Sequence, residues 1–387
     1  MSETTRRPPV VGIVGAGQLA RMLIEAAIPL DVTVRLLAAA PDDGAALVSP
    51  HVLVAAPTDA AALARLAAGC DALTFDHELV DIAQLRALAE AGVVVRPSPE
   101  TVATAQDKGR QRRLFRDAGL PVPPFAPAPD AAAITAFAAS HGWPVVVKAE
   151  RGGYDGRGVW VARDADEAAA VVHQAGGAPL MVEHWVPIER EVAALVARRP
   201  NGEAVVYPVV ETVQRDGICH ELLVPAPIPP ALAAEAQRLA LRVAEVTEAT
   251  GMLALELFVT GGRLLVNEIA ARPHNSGHFT IEGCLTSQFE NHLRAVLDWP
   301  LGATDLVAPA VATVNLLGGP RTGDLAAALP GALAVRGARV HLYGKGARPG
   351  RKLGHVTALG STIEDARARA IEAVRRLREG PEVGVGG

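Results

Sequence analysis

The first hundred residues of this chain alternate short aliphatic runs with stretches of helical spacing. Val10–Val14, 32–37, 52–55, Ala72–Phe75 and 93–95 are β-branched or aliphatic runs of strand length. Between them, 19–27, 59–69 and 82–91 repeat apolar residues every three or four positions. This alternation predicts a doubly wound parallel sheet covered on both faces.

Past residue 107 the rhythm changes. A basic helix over 107–118 stops at Gly119-Leu120-Pro121, and the proline-rich run 121–129 reads as a linker. A helix over Ala131–His141 leads to two short runs, 145–148 and 159–161, then a helix over 165–174 and a strand over 180–183. The alternating stretches 189–197 and 204–210 flank Pro200-Asn201-Gly202 and predict an antiparallel pair. A long amphipathic helix over 231–251 precedes a hairpin of 253–259 and 263–269, turning at Thr260-Gly261-Gly262. The whole reads as α/β followed by α+β, with a glycine-rich tail at 380–387.

Composition narrows the picture only slightly. The 387 residues allow several domains, and 50% hydrophobic against 20% charged residues is ordinary globular make-up. A net charge of −5 gives no basic face for nucleic acid. Cys70, Cys219 and Cys284 are too scattered for a disulfide framework or a metal cluster. No apolar run reaches membrane-spanning length, and no signal-peptide core is read at the N-terminus. A cytoplasmic, multidomain protein is expected.

Candidate chemistry sits in a few stretches. Val14 runs into Gly15-Ala16-Gly17-Gln18-Leu19-Ala20, the strand–GxGxxA–helix pattern of dinucleotide sites. The acidic residue expected after the second strand is missing, since 32–37 ends in Ala38-Ala39-Ala40. That half-fingerprint disfavours a nicotinamide-linked oxidoreductase. Asp76, His77 and Glu78 follow a strand directly, as helix caps or as ligand groups. The segment 145–161, VVVKAERGGYDGRGVWV, is a hairpin with Gly152, Gly153, Gly156 and Gly158 at its tip. It reads either as a solvated turn or as a phosphate cradle beside Lys148. Glu256 and Glu268 lie on the two strands of the later hairpin and can face each other. With Asn267 they form a hard oxygen site for Mg²⁺; the alternative is that each pairs with an arginine such as Arg272. A polar loop over 270–278 and a basic turn with Lys345, Arg348, Arg351 and Lys352 could hold a phosphorylated substrate.

Taken in order, GxGQLAxM, KAERGGYDGRG, EHWV (183–186), IEREV (188–192), LxLExF, LLVNEIAARPHNSGH and RPGRKLGH resemble the ATP-grasp enzymes. Within them the chain is similar to the 5-(carboxyamino)imidazole ribonucleotide synthases of purine biosynthesis, over residues 10–371. The resemblance implies a pre-ATP-grasp domain (1–107), a lid (108–180), a catalytic ATP-grasp domain (181–305) and a mixed C-terminal region (306–387). It implies ATP- and bicarbonate-dependent carboxylation of the amine of 5-aminoimidazole ribonucleotide, through carboxyphosphate.

By the same resemblance, Lys108 and Lys148 bind ATP phosphates, and Gly153, Tyr154, Asp155, Gly156, Arg157, Gly158 and Val159 form the lid loop. Glu183, His184, Trp185 and Val186 lie along adenine, Glu191 on the ribose, and Gln214 by the nucleotide. Glu256 and Glu268 hold Mg²⁺ or Mn²⁺ beside Asn267. Glu78, Tyr154, Asp155, Arg157, Arg272, His274, Asn275, Ser276, Lys345, Arg351 and Lys352 take the substrate. Asp155, Lys345 and Arg272 are the candidates closest to the chemistry. A homodimer is expected. Carboxyphosphate decomposes in water, so a glycine-hinged lid that excludes solvent suits the reaction. Three positions depart from the family pattern: Lys108 where some relatives have arginine, Gln214 where histidine is frequent, and His77 between two acids. A formate-using sibling ligase and a non-catalytic nucleotide-binding regulator are the remaining alternatives.

Overall fold

The computed structural model describes residues 7–153, 157–319 and 322–379. Its N-terminal unit comprises β1 (Val10–Val14), α1 (Gln18–Ala27), β2 (Thr33–Ala38), β3 (Val52–Val54), α2 (Ala60–Ala67), β4 (Ala72–Phe75) and α3 (Ile82–Glu90). The strands are parallel in the order β3-β2-β1-β4. Strand residues alternate between faces: Val11 and Ile13 pack with α1, while Val14, Leu73 and Phe75 pack with α2 and α3. This is the doubly wound sheet expected from the alternation. The fifth expected strand, 93–95, is reduced to one bridge between Val95 and Leu73. Pro97 comes two residues later and has no N–H with which to extend a ladder.

Two helices come next, α4 (Pro99–Gln106) and α5 (Lys108–Asp117), broken at Asp107. Ser98 caps α4, with Pro99 at its first position; the Asp107 carboxylate caps α5 by accepting from Arg110 N at 2.7 Å. On α5, Gln111, Arg112 and Phe115 share the buried face.

The lid unit holds β5 (Phe125–Pro127), α6 (Ala131–His141), β6 (Val145–Ala149), β7 (Val159–Ala162), α7 (Ala165–Ala175) and β8 (Leu180–His184). Its antiparallel order is β5-β8-β6-β7. The proline-rich run is therefore no simple linker. It contributes β5 as an edge strand, where prolines do not interrupt a ladder.

The remaining elements are β9 (Arg190–Arg198), β10 (Ala204–Val206), β11 (Val210–Arg215), β12 (Ile218–Val224), α8 (Pro230–Val246), β13 (Gly251–Thr260), β14 (Arg263–Ala270), α9 (Thr280–Gly283), α10 (Gln288–Val296), β15 (Ala310–Leu317), α11 (Leu325–Leu333), β16 (Ala338–Leu342), β17 (Lys352–Gly360) and α12 (Ile363–Glu379). They build one nine-stranded sheet, β14-β13-β9-β11-β12-β15-β17-β16, with β10 on β9. The expected strand over 204–210 is split, because buried Tyr207 donates its hydroxyl to Thr286 O at 3.1 Å and Pro208 lacks an N–H. The C-terminal strands extend this sheet through β12 and β15 instead of forming a sheet of their own. Phe289, Leu293 and Val296 of α10 enter the N-terminal core and seat that unit on the large sheet. His292 on the same helix bridges Thr74 Oγ1 at 2.8 Å and Met252 N at 3.0 Å.

Candidate active site

Glu256 on β13 and Glu268 on β14 are direct partners in antiparallel register, so their side chains project from one face. Their neighbours Leu255 and Leu257 point the other way, into the core. The register slips beside Glu256, leaving Asn267 as the extra residue of a bulge. Asn267 Nδ2 reaches Glu256 Oε2 at 3.5 Å, and its Oδ1 accepts from Lys148 Nζ at 3.3 Å. On the adjoining β9, Glu191 is pushed up to about 7 by burial and then by the charge of Glu256. Carboxylates thus crowd together where a divalent cation would relieve their repulsion, and that crowding fits the group. Among the described residues no three His, Cys, Asp or Glu side chains form a closed cage. A pair of carboxylates sharing a cation with phosphates needs none.

The cations come from other elements. Lys108, at the first position of α5, forms an ion pair with Glu268. Burial, then Lys148 and Arg112, bring Lys108 down to about 8. Lys148 on β6 lies 2.7 Å from Glu183 Oε2, and Arg112 pairs with the other oxygen. Burial alone would raise Glu183, but Lys148 and Arg112 outweigh it and hold the carboxyl at about 2. Glu183 is therefore a buried counter-ion to Lys148 and Arg112. Beyond it Trp185 is 40% exposed and Val186 is buried.

The neck of the glycine hairpin is narrow. Gly158 adopts φ +73°, and a Cβ on Gly153 would stand 2.6 Å from Arg157 O. Ala149 N donates to Gly158 O at 2.8 Å. Tyr154, Asp155 and Gly156 lie outside the described residues. Gln214 stands half-exposed on β11, beside a bulge in β12 where His220 is the extra residue.

On the opposite side, Arg272 does not pair with the hairpin acids. Its Nε donates to Glu78 of the N-terminal unit at 2.6 Å. His274 is driven down to about 3 by burial and then by Arg272, so its ring is neutral. Its Nδ1 meets Ser276 Oγ at 2.8 Å, and its Nε2 stands 3.6 Å from Glu256 Oε1. Both amide atoms of Asn275 are buried without a partner among the described residues. Lys345 hydrogen-bonds Gln18, Arg351 donates to Gly346 O at 3.1 Å, and Lys352 opens β17.

The GAGQLA loop itself is filled from within. Asp76 Oδ2 accepts from Gly17 N at 2.5 Å, and a Cβ on Gly15 would fall on the same carboxylate. Asp76 takes the place at the helix N-terminus where a dinucleotide phosphate would sit. Sequence reasoning did not find this role for Asp76, and it missed Gln18 and Arg112. The one available signal was spacing: Arg112 lies one helical turn beyond Lys108 and must share its face.

Three family models cover most of the chain: a ribonucleotide synthetase preATP-grasp domain at 9–106, an ATP-grasp domain at 113–289, and a phosphoribosylaminoimidazole carboxylase C-terminal domain at 311–369. The N5-carboxyaminoimidazole ribonucleotide synthase of Mycobacterium tuberculosis is 49% identical over 387 residues, spanning 96% of this chain and 88% of that protein. The crystal structure of the N5-carboxyaminoimidazole ribonucleotide synthetase of Thermus thermophilus matches with a TM-score of 0.86 at 38% identity, over 96% of this chain and 99% of that one. That of the Aspergillus clavatus synthase in complex with ADP and 5-aminoimidazole ribonucleotide matches with a TM-score of 0.88 at 32% identity, over 96% and 99%.

Proposed function

The chain belongs to the N5-carboxyaminoimidazole ribonucleotide synthases, which are ATP-grasp ligases, and from that premise we propose how its residues divide the reaction. The reaction is ATP- and bicarbonate-dependent carboxylation of the exocyclic amine of 5-aminoimidazole ribonucleotide, through carboxyphosphate, with release of ADP and phosphate. The observation that carries the residue assignment is the in-register pair Glu256 and Glu268, with Lys108 closing on one of them.

Lys108 and Lys148 neutralise the nucleotide phosphates, and Glu183 with Arg112 fixes the direction of Lys148. Glu256 and Glu268, with Asn267 beside them, would hold Mg²⁺ or Mn²⁺. The bound ion supplies charge neutralisation at the transferring phosphoryl group. Glu191 takes the ribose, and 183–186 line the base through backbone and Trp185. On the imidazole side Arg272, His274, Asn275 and Ser276 hold the substrate with Glu78, and Lys345, Arg351 and Lys352 hold its phosphate. The unpartnered amide of Asn275 supports this reading, because a buried carboxamide without protein bonds is expensive unless a ligand meets it. Arg157 and the lid loop stand between the two substrates. For Asp155, in the lid loop by the resemblance, two roles stay open: accepting the proton of the attacking amine or positioning that amine.

As functional segments, 1–107 brings Glu78, 108–180 the phosphate lysines, 181–305 the acids, and 306–387 the basic phosphate clamp. A homodimer in the cytoplasm completes the proposal; no helix among the described residues is long and apolar enough to cross a membrane. Sedimentation tests the dimer. ADP release that needs both bicarbonate and the aminoimidazole nucleotide is the expected outcome of a coupled assay, while ATP hydrolysis indifferent to the imidazole would sink the substrate assignment. Turnover surviving Glu256→Gln together with Glu268→Gln would overturn the metal assignment.

A further inference from the structure

Glu78 lies outside regular secondary structure, between β4 and α3, yet its carboxylate stands 2.6 Å from Arg272. The short segment that carries it is bonded mainly within itself. Leu79 N donates to His77 Nδ1 at 3.1 Å, Val80 N to Glu78 O at 2.9 Å, and Asp81 turns forward to cap α3. Among the described residues, one side chain from outside grips this backbone. Gln106, the last residue of α4, directs its Nε2 at Glu78 O (2.5 Å) and at Val80 O (2.8 Å).

A neutral primary amide suits this contact. Its nitrogen carries two hydrogens, one for each carbonyl. An ionised glutamate would set a negative oxygen against two carbonyl oxygens, and asparagine falls one methylene short. We propose that Gln106 is a positioning residue for substrate recognition, setting Glu78 against Arg272 by clamping the two carbonyls on either side of Leu79. The proposal rests on the reading of Glu78 as a substrate contact.

The two residues after Gln106 confine the expected effect of the clamp to one side of the site. Asp107 caps α5 and accepts from Arg151 Nε, at the foot of the glycine hairpin, at 2.9 Å. Lys108 N donates to Glu150 O at 2.8 Å, and Lys108 Nζ reaches Glu268. Three successive residues therefore address the imidazole side, the stem of the hairpin and the nucleotide side. A lesion at Gln106 should be felt on the imidazole side only.

The test is steady-state kinetics of the full chain with Gln106→Met, Gln106→Asn, Glu78→Gln and the Gln106→Met/Glu78→Gln double variant. Losing two hydrogen bonds to the segment should raise KM for 5-aminoimidazole ribonucleotide about tenfold in Gln106→Met, with less effect in Gln106→Asn. KM for ATP should stay within roughly twofold, and the double variant should be no worse than Glu78→Gln alone. If Glu78→Gln raises the substrate KM and Gln106→Met leaves it unchanged, the clamp is wrong and the Glu78 reading stands. Should Glu78→Gln itself leave that KM unchanged, the Glu78 reading fails and takes the clamp with it. Equal rises in both KM values, or full additivity in the double variant, would also overturn the proposal. Gln106→Asn keeps the amide and the polarity of the site, so it supplies the comparison if Gln106→Met does not fold.

Discussion

Lys108 and Glu268 meet across 160 positions of chain, from the first turn of a helix to the edge strand of the large sheet. The lysine faces a carboxylate whose in-register partner is another carboxylate. Removing it as Lys108→Met should raise KM for ATP by about tenfold or more, the loss expected from the charge-assisted phosphate contact proposed for it. Lys108→Arg should recover much of that loss, because charge is kept. Initial rates against ATP at saturating substrate measure both.

Glu183 gives an acid-side prediction. Its carboxyl is held at about 2, below its ordinary 4.5. A depressed carboxyl contributes stability that is present in full above 4.5 and is lost as pH falls toward 2. Glu183→Gln should therefore flatten this part of the acid limb in urea titrations. At neutral pH it should cost about 3 kcal/mol or more, since Arg112 and Lys148 lose their buried counter-ion. A variant as stable as the parent at pH 7 would contradict the buried triad.

His341 predicts the opposite slope. Burial alone would lower it, but the bond to Glu282 Oε1 at 2.6 Å wins and raises it above 6.5. A raised histidine contributes stability that is complete below 6.5 and disappears as pH climbs through the folded value. The stability gap between parent and Glu282→Gln should be largest near pH 6 and shrink toward pH 9, with an amplitude of about 1–2 kcal/mol. Denaturation midpoints at a series of pH values read this directly.

Asp76 and the GAGQLA loop yield a structural prediction. Gly15 holds φ +108°, and a side chain there would displace the Asp76 carboxylate. Gly15→Ala should lower stability by more than about 1 kcal/mol, visible as a drop in Tm. The parent protein should give no saturable NADH fluorescence change, because the anion position is already taken.

The sequence was most legible where chemistry and periodicity coincide. The parallel N-terminal sheet came from alternating runs, and the hairpin strands that carry Glu256 and Glu268 from their turn; the turn register alone sets Glu256 opposite Asn267, and the bulge at Asn267 is what brings Glu268 across. The structure also joins Glu78 to Arg272, two residues that the sequence motifs had each singled out separately. What stayed hidden depended on distant packing. Nothing local marks Glu183 as a counter-ion, since Arg112 arrives from a helix 71 residues away. The proline run gave no strand signal, because β5 exists only by pairing with β8. The separation of α4 from α5 turns on the cap at Asp107, a residue that reads equally well as part of one basic helix.

The continuity of the large sheet has a consequence for how the chain is made. β12 has its free edge covered by β15, whose first residue is Ala310. While the ribosome is still delivering the residues between Val224 and Ala310, the edge of β12 is a row of open backbone donors and acceptors. The hairpin that carries Glu256 and Glu268 can fold in that interval, but the nascent sheet remains able to recruit a neighbour's strand. A product cut short before β15 is thus not a smaller ligase lacking a substrate clamp. It is a sheet with an adhesive side, and the last strands to be translated are the ones that seal it.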